Sequence, residues 1–143
     1  MTNANAFCDI LHMYKKDNPH KRERTGIMVR REVFEEKFEV KGGKGPIRFY
    51  HAISSEEFGD NGRLFARLVF PPGSSIGWHV HEGEKEPYYI IAGEGEYTDS
   101  DGSKHIVRKG DCCIIEEGAG HCIENKGTED LELIAMVYYV PKG

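Results

Sequence analysis

Short runs of apolar, β-branched and aromatic residues fill the chain from residue 47 onward, and turn residues separate them. Runs that recur about every 8 to 12 positions are typical of an all-β sandwich or barrel. The pattern predicts about nine strands, at residues 47–53, 63–70, 75–81, 88–92, 95–98, 104–108, 112–115, 121–124 and 131–140. Because no helical pattern lies between these runs, we expect the strands to pair in antiparallel fashion.

The first 45 residues have a different character, since they are rich in charge and end in a glycine cluster at residues 42–46. Phe7, Ile10, Leu11 and Tyr14 have helical spacing and predict one short amphipathic helix, followed by an extended segment. A segment of this length is too short for a core of its own. We therefore expect an N-terminal arm over residues 1–45 and a β-barrel domain over residues 46–143.

The charge of the chain narrows the choice of partners. It carries 24 acidic and 19 basic residues, a formal net charge of -5, and so has no field that would attract a polyanion. We expect a small-molecule partner, with neither nucleic acid nor a membrane as ligand. No stretch approaches the roughly 20 apolar residues of a membrane helix. The first 25 residues carry charges at positions where a signal peptide would need an apolar run. We therefore expect a cytoplasmic protein.

The four cysteines do not have the spacing of a metal or redox motif. Cys8, Cys112, Cys113 and Cys122 form no CxxC pair, and the adjacent Cys112 and Cys113 are poorly placed for a disulfide. We interpret all four as reduced thiols that pack as small hydrophobes.

Two histidines in a predicted strand are the first candidates for chemistry. His79 and His81 are two positions apart, so both side chains project from one face of the strand, about 7 Å apart. Two imidazoles in this arrangement can reach one metal ion, although such a pair also occurs on polar strand surfaces. Glu86 follows five residues after His81 and offers a carboxylate to the same ion.

Two longer patterns extend this candidate site. They read Gly73-x5-His79-x-His81-x4-Glu86-x6-Gly93 and Gly110-x5-Glu116-x-Gly118-x2-His121-x3-Asn125. Their spacing resembles the two sequence motifs of the cupin superfamily, with Glu116 where the family usually has proline. By this resemblance the chain is similar to a small, single-domain metal-binding cupin. The implied fold is a double-stranded β-helix, also called a jelly-roll barrel.

The resemblance implies that His79, His81, Glu86 and His121 are metal ligands. Three imidazoles and one carboxylate suit one divalent transition metal per chain, and the set does not distinguish Fe, Mn, Ni, Zn, Co and Cu. A six-coordinate ion bound in this way keeps two positions free for substrate, water or oxygen.

Two functions are compatible with this site. The first is a metal-dependent enzyme of the dioxygenase or isomerase type that acts on a small polar molecule, with Glu86 as a catalytic group that accepts a proton. The alternative is a non-enzymatic module that binds a sugar or an organic acid. We also expect a homodimer, because the apolar Phe34, Phe38 and Val40 of the arm can pair with the sheet edge of a second copy.

Other residues have weaker assignments. We expect Glu82 and Glu84 to be solvated turn residues and His105 to lie on the surface, while His51 could point into the barrel. Strand alternation turns Trp78 away from His79. The remaining candidates are polar or amphipathic strand residues that could line a pocket, namely Arg48, Tyr50, Arg67, Tyr89 and Tyr138.

Overall fold

The computed structural model describes residues 29–143, and residues 32–143 of that range form one compact unit. The strands of this unit are β1 (Phe34–Phe38), β2 (Pro46–Ile53), β3 (Gly62–Phe70), β4 (Ser75–Val80), β5 (Glu84–Ala92), β6 (Glu94–Thr98), β7 (Lys104–Arg108), β8 (Cys112–Ile115), β9 (Gly120–Glu124) and β10 (Leu131–Tyr139). One α-helical turn, Ser55–Phe58, and two short 3-10 turns, Val40–Gly42 and Gly59–Asn61, connect them. The predicted helix near Phe7 and the thiol of Cys8 lie outside the described residues.

The strands form two antiparallel sheets. One sheet has six strands in the order β1-β2-β3-β10-β5-β8, and the other has four in the order β4-β9-β6-β7. Chain neighbours are often not sheet neighbours, and β10 lies between β3 and β5. The all-β prediction and the double-stranded β-helix are confirmed. Within residues 29–143, no helix has both the length and the apolar composition needed to cross a membrane.

Two strands differ from the prediction by more than one residue. β1 lies in the segment assigned to the arm, where it pairs with β2 from Phe34 opposite Tyr50 to Phe38 opposite Pro46. Its sequence FEEKF lacks a clean alternation, so its place in the sheet depends on the partner strand. β5 begins at Glu84, four positions before the predicted start, and this earlier start brings a run of glutamates into the sheet.

The core lies between the two sheets. Along β10, buried residues alternate with half-buried ones from Leu131 to Val137, the pattern of a strand with one face on the core. Buried side chains of both sheets join one cluster, with Leu68, Tyr88 and Leu133 from the six-stranded sheet and Ile123 from the other. This cluster supplies an apolar interior that does not include the histidines.

The cysteines of the described region are free thiols. Cys113 is buried as expected of a small hydrophobe, and burial raises the pKa of its thiol to about 12. Cys122 is half-buried, whereas Cys112 is exposed on β8 and does not fit the expectation of burial.

Asn125 holds together the turn after β9. Its side chain is fully buried, and its Nδ2 donates to the carbonyl oxygens of Phe70 and Glu129, both at 2.8 Å. Its Oδ1 accepts a hydrogen bond from the backbone N–H of Gly127. The last position of the second motif therefore has a structural role, since it joins the ends of three segments.

We expect Asn125→Ala to lower the free energy of unfolding by about 1–3 kcal/mol, because it leaves the buried carbonyl oxygen of Phe70 and the partly buried groups of Glu129 and Gly127 without this partner. Urea denaturation measures this loss. Asn61→Ala is the matched control, since Asn61 makes a single exposed hydrogen bond to the carbonyl oxygen of Phe58. Equal effects of the two substitutions would contradict the role assigned to Asn125.

Candidate metal centre

Three strands position the four candidate ligands, which we call the tetrad: His79, His81, Glu86 and His121. His79 on β4 lies directly opposite His121 on β9 in the sheet register. His81 follows the last residue of β4, and Glu86 lies on β5 in the other sheet. The site therefore bridges the two sheets from the inside.

The ligand atoms of the tetrad converge on one point. They all lie within 4.8 Å of one another. The Nε2 atom of His121 is 3.1 Å from that of His79 and 3.2 Å from that of His81. The Oε2 atom of Glu86 is 2.9 Å from His81 Nε2 and 3.1 Å from His121 Nε2. The structure thus brings together the residues that the two motifs predict as ligands.

The other ring nitrogen of each histidine has its own partner. His79 Nδ1 donates to the carbonyl oxygen of Gly77 at 2.8 Å, and His81 Nδ1 lies 2.8 Å from the carboxylate of Glu84. Because neither partner can donate, both Nδ1 atoms carry the proton. His121 Nδ1 is 3.0 Å from the hydroxyl of Tyr97.

This proton arrangement tests whether a metal ion fits. A neutral ring with its proton on Nδ1 presents a bare lone pair at Nε2. When both rings are neutral, two such nitrogens and a carboxylate oxygen face one another, an arrangement that is repulsive without a positive charge among them. Borderline divalent metals accept this combination of imidazole and carboxylate donors. The donor set of the tetrad fits such an ion.

Two tyrosines enclose the His121 side of the site. The ring of Tyr88 stacks on that of His121 with centroids 5.0 Å apart, and Tyr97 meets His121 edge to face. Burial raises the pKa of Tyr97, and it raises that of Tyr88 well above its ordinary value. Both hydroxyls therefore stay neutral and serve as hydrogen-bonding groups.

The carboxylate of Glu86 is ionised in spite of its burial. Burial alone would raise the pKa of Glu86, but the imidazoles of His121, His79 and His81 around its carboxylate outweigh it and hold the pKa well below the ordinary range. Burial is also the largest influence on His121, where it lowers the pKa and favours the neutral ring. The site thus combines an anionic oxygen with an imidazole that resists protonation.

The structure corrects the interpretation of Glu84. We expected a solvated turn residue, but Glu84 is buried at the start of β5 and contacts His81. Arg63 holds it with two hydrogen bonds, of 2.8 Å from Nε and 2.6 Å from Nη2. These bonds from Arg63 are the largest cause of the lowered pKa of Glu84. Glu82 is exposed, as expected.

The strand residues proposed to line a pocket lie elsewhere. Tyr50, Arg67, Ile134 and Tyr89 form one row across the six-stranded sheet, because they are register partners. This row lies on the outer face, where Arg67 pairs with Glu32 and Glu132. All five candidates lie on this outer face and not beside the tetrad, which corrects the prediction for them: Arg48, Tyr50, Arg67, Tyr89 and Tyr138.

His51, His105 and Trp78 also had sequence-based assignments. His51 is the register partner of the buried Ala66, so it points inward, and its Nε2 lies 3.5 Å from Glu35. His105 is exposed, as expected. Trp78 is half exposed and packs its ring against Gly120, where a side chain would overlap the indole.

Glu116, the departure from the second motif, is an exposed residue in the turn before His121. Its carboxylate pairs with Lys85, the neighbour of Glu86 on β5. The backbone of the turn is closed by a hydrogen bond from the N–H of Ala119 to the carbonyl oxygen of Glu116. In place of proline, the glutamate at this position makes an ion pair with the neighbouring strand β5.

Sequence reasoning missed Glu84, Tyr88 and Tyr97, which contact the tetrad from outside, and Arg63, which binds Glu84. Alternation offered one signal, since Glu84, Glu86 and Tyr88 share one strand face. No comparable signal existed for Tyr97, which lies 24 residues from His121 in the chain.

Comparisons with known proteins agree with this fold. A sequence model of the cupin domain matches residues 66–137. An oxalate-binding protein of Thermotoga maritima is 44% identical over 118 residues, which cover 81% of this chain and 97% of the relative. The crystal structure of a predicted oxalate decarboxylase from Thermotoga maritima has a TM-score of 0.75 and 41% identity, and the match covers 80% of this chain and 100% of that one.

A more distant relative shares only part of its length. Mannose-1-phosphate guanylyltransferase of Escherichia coli is 31% identical over 70 residues, which cover 49% of this chain and 15% of the enzyme. The match to the cupin domain spans half of this chain, and the oxalate-binding relative is matched over nearly its whole length. The chain therefore belongs to the cupin family.

Proposed function

We propose that this protein binds one divalent transition metal ion through the tetrad and uses it to take up a small dicarboxylate of the oxalate class. The observation that carries the proposal is the convergence of three imidazole Nε2 atoms on the Oε2 atom of Glu86. The Nδ1 protons of His79 and His81 are committed to Gly77 and Glu84, which leaves their Nε2 lone pairs for the ion.

The charges of the site favour an anionic ligand. Glu86 is the anionic member of the tetrad, and the nearby Glu84 is paired with Arg63. A divalent ion would therefore leave the centre with an excess of positive charge, and as a Lewis acid it would bind the oxygen donors of a carboxylate. The 44% identical relative that is named as an oxalate-binding protein supports a dicarboxylate as that ligand.

The enclosure of the tetrad favours a small ligand. The side chains of His121, His81 and Glu86 are 0%, 2% and 5% exposed, whereas that of His79 is 12% exposed. A ligand would therefore approach from the side of His79. A molecule of the size of oxalate meets this constraint more readily than a sugar.

Catalysis is the second candidate function. The similar structure named as a predicted oxalate decarboxylase supports it, as does the Glu86 carboxylate at the centre of the tetrad. Cleavage of oxalate to formate and carbon dioxide breaks one carbon–carbon bond and needs a proton at the carbon that becomes formate. As a catalytic residue, Glu86 could carry that proton only after its carboxylate leaves the ion and the imidazoles, because in place these contacts hold its pKa low. The dioxygenase, isomerase and homodimer assignments and the cytoplasmic location stay predictions.

The metal site makes the first prediction. We expect the parent protein to bind about one first-row divalent ion per chain. A His79→Ala/His121→Ala variant should bind the ion more than about 100-fold more weakly. This loss of affinity exceeds the usual effect of removing a residue that only hydrogen-bonds a metal ligand. Elemental analysis and competition with a chelator measure both quantities. The control is His105→Ala, which removes an exposed histidine that contacts Ser103. Unchanged affinity in the double variant would reject the ligand assignment.

Metal removal should leave the barrel folded. The core cluster of buried apolar side chains joins both sheets without the tetrad, so the fold has a source of stability of its own. Circular dichroism before and after treatment with a chelator should show the same β-sheet signal. Wholesale loss of that signal on chelation would show that the ion is needed for folding.

The ligand and the reaction can be tested together. Calorimetry should show saturable oxalate binding by the metal-loaded parent and none by the metal-free protein. Loaded parent and Glu86→Gln protein are then incubated with oxalate and a panel of small acids and sugars, with and without oxygen, and followed by mass spectrometry. The substitution keeps an oxygen donor but removes the negative charge and any base function.

The outcomes separate the two candidate functions. Conversion by the parent that fails in the fully loaded Glu86→Gln variant, but persists in Glu132→Gln, supports an enzyme. Oxalate binding without product under any metal supports a binding module. Failure of every metal-loaded form to bind a carboxylate would reject the proposed ligand class.

A further inference from the structure

The three imidazoles of the tetrad are held by partners of different chemistry. His79 donates to a backbone carbonyl oxygen, that of Gly77, and His121 faces a neutral tyrosine hydroxyl. His81 alone among the three donates to a carboxylate, the Oε1 atom of Glu84 at 2.8 Å. The strongest hydrogen-bond acceptor around the site therefore acts on His81.

Arg63 determines where this carboxylate points. Its Nη2 donates to Glu84 Oε1 at 2.6 Å and its Nε donates to Oε2 at 2.8 Å, so the guanidinium binds the carboxylate in a bidentate manner. Oε1 thus accepts from Arg63 and from His81 at once. Arg63 lies on β3 and Glu84 on β5, and β10 lies between these two strands. The pair therefore ties the orientation of His81 to the frame of the six-stranded sheet.

A carboxylate behind a metal-binding imidazole has two known effects. It fixes the ring with its proton on Nδ1, and it makes Nε2 a better donor to the metal. A bidentate arginine adds geometric precision, because a guanidinium fork matches a carboxylate in one plane. Neither effect requires that Arg63 or Glu84 touch the ion.

We propose that Arg63 and Glu84 are a positioning pair that fixes the tautomer of His81 and thereby sets the metal affinity of the tetrad. This inference rests on the proposed function, since it concerns the same metal site. It assigns the two residues an order of action, in which Arg63 acts on Glu84 and Glu84 acts on His81.

A plain structural ion pair is the competing explanation, and the chain contains a matched example. Arg67 also lies on β3, and its Nη1 donates to Glu132 on β10 at 2.9 Å. The side chain of Glu132 is 29% exposed and pairs with Arg67 on the outer face of the sheet, whereas that of Glu84 is 12% exposed and contacts His81. Substitution of Glu132 therefore removes an arginine–glutamate pair without changing a ligand.

The first experiment measures the affinity of the full chain for cobalt by competition with a chelator. We expect Glu84→Ala to weaken binding by about 10- to 100-fold, the usual effect of losing such a partner, and Glu132→Ala to leave it unchanged. Thermal unfolding of the metal-free proteins checks that each variant is folded. Equal cobalt affinity in Glu84→Ala and the parent would overturn the inference.

Arg63→Met tests the order of action, and the partly exposed position of Arg63 makes loss of folding a small concern. Removal of a positive charge alone would strengthen the binding of a cation. Loss of the positioning role has the opposite effect on metal affinity. Without Arg63, Glu84 is free to turn away from His81, and binding weakens. We expect weaker binding in Arg63→Met and no further loss when it is added to Glu84→Ala. Tighter binding in Arg63→Met would overturn its assignment.

A spectroscopic measurement separates positioning from stability. In the zinc-loaded parent, proton–nitrogen correlation spectra of the histidine rings should show a protected Nδ1 proton on His81. Protection should be lost in Glu84→Ala, in part retained in Glu84→Gln, whose amide oxygen can still accept, and unchanged in Glu132→Ala. An unchanged His81 signal in Glu84→Ala would contradict the inference.

The two proposals can fail separately. A parent protein that binds neither cobalt nor zinc overturns the proposed metal site, and the inference fails with it. A parent that binds metal tightly while Glu84→Ala matches it in affinity and spectrum overturns the inference alone.

Discussion

The mutual approach of four electron-rich atoms inside the barrel is the constraint that organises the surrounding structure. Three imidazole nitrogens and a carboxylate oxygen lie within 4.8 Å of one another, where lone pairs repel and burial opposes charge. A metal ion or a proton at the centre offsets this repulsion, and a contact on the far side of each ring fixes its orientation. The backbone carbonyl of Gly77, the carboxylate of Glu84 and the hydroxyl of Tyr97 hold the rings in this way.

The edge of the four-stranded sheet shows how the backbone meets this constraint. β4 is an edge strand, and the segment before β2 covers it through hydrogen bonds between Lys44 and Ser75. A side chain at Gly77 would overlap the carbonyl oxygen of Lys41, so glycine allows the close approach. Lys41 has a left-handed backbone with φ of 55°, which is strained for a residue with a side chain. The covering segment thus packs against the residue whose carbonyl orients His79.

The sequence predicted the parts of the structure that depend on local pattern. Strands of the core alternate clearly, and the tetrad is marked by spacing within two short motifs. The faces of the other strands were not predictable in the same way, because alternation separates two faces without saying which is inside. Tyr50, Arg67 and Tyr89 were therefore named as residues that could line a pocket, although they form one row on the outer face.

The residues that surround the tetrad without being ligands were not predicted, for a related reason. Their roles depend on contacts between strands that are distant in sequence, such as Arg63 on β3 with Glu84 on β5. Glu84 also stands in a run of glutamates that is typical of a solvated turn, and only the extension of β5 back to this residue buries it. β1 was missed because its apolar residues stand at its two ends, and its position in the sheet follows from its pairing with β2.

The electrostatic balance around His81 connects this arrangement to the choice of ligand. An unpaired second carboxylate close to the tetrad would strengthen the hold on a cation but would also repel an incoming dicarboxylate. Arg63 offsets the charge of Glu84 while its fork leaves Oε1 available to His81. The ring thus gains an ionised hydrogen-bond acceptor and the centre gains little net negative charge. Under the proposed function, this separation of hydrogen bonding from net charge would allow one site to hold a divalent cation and still attract an anion to it.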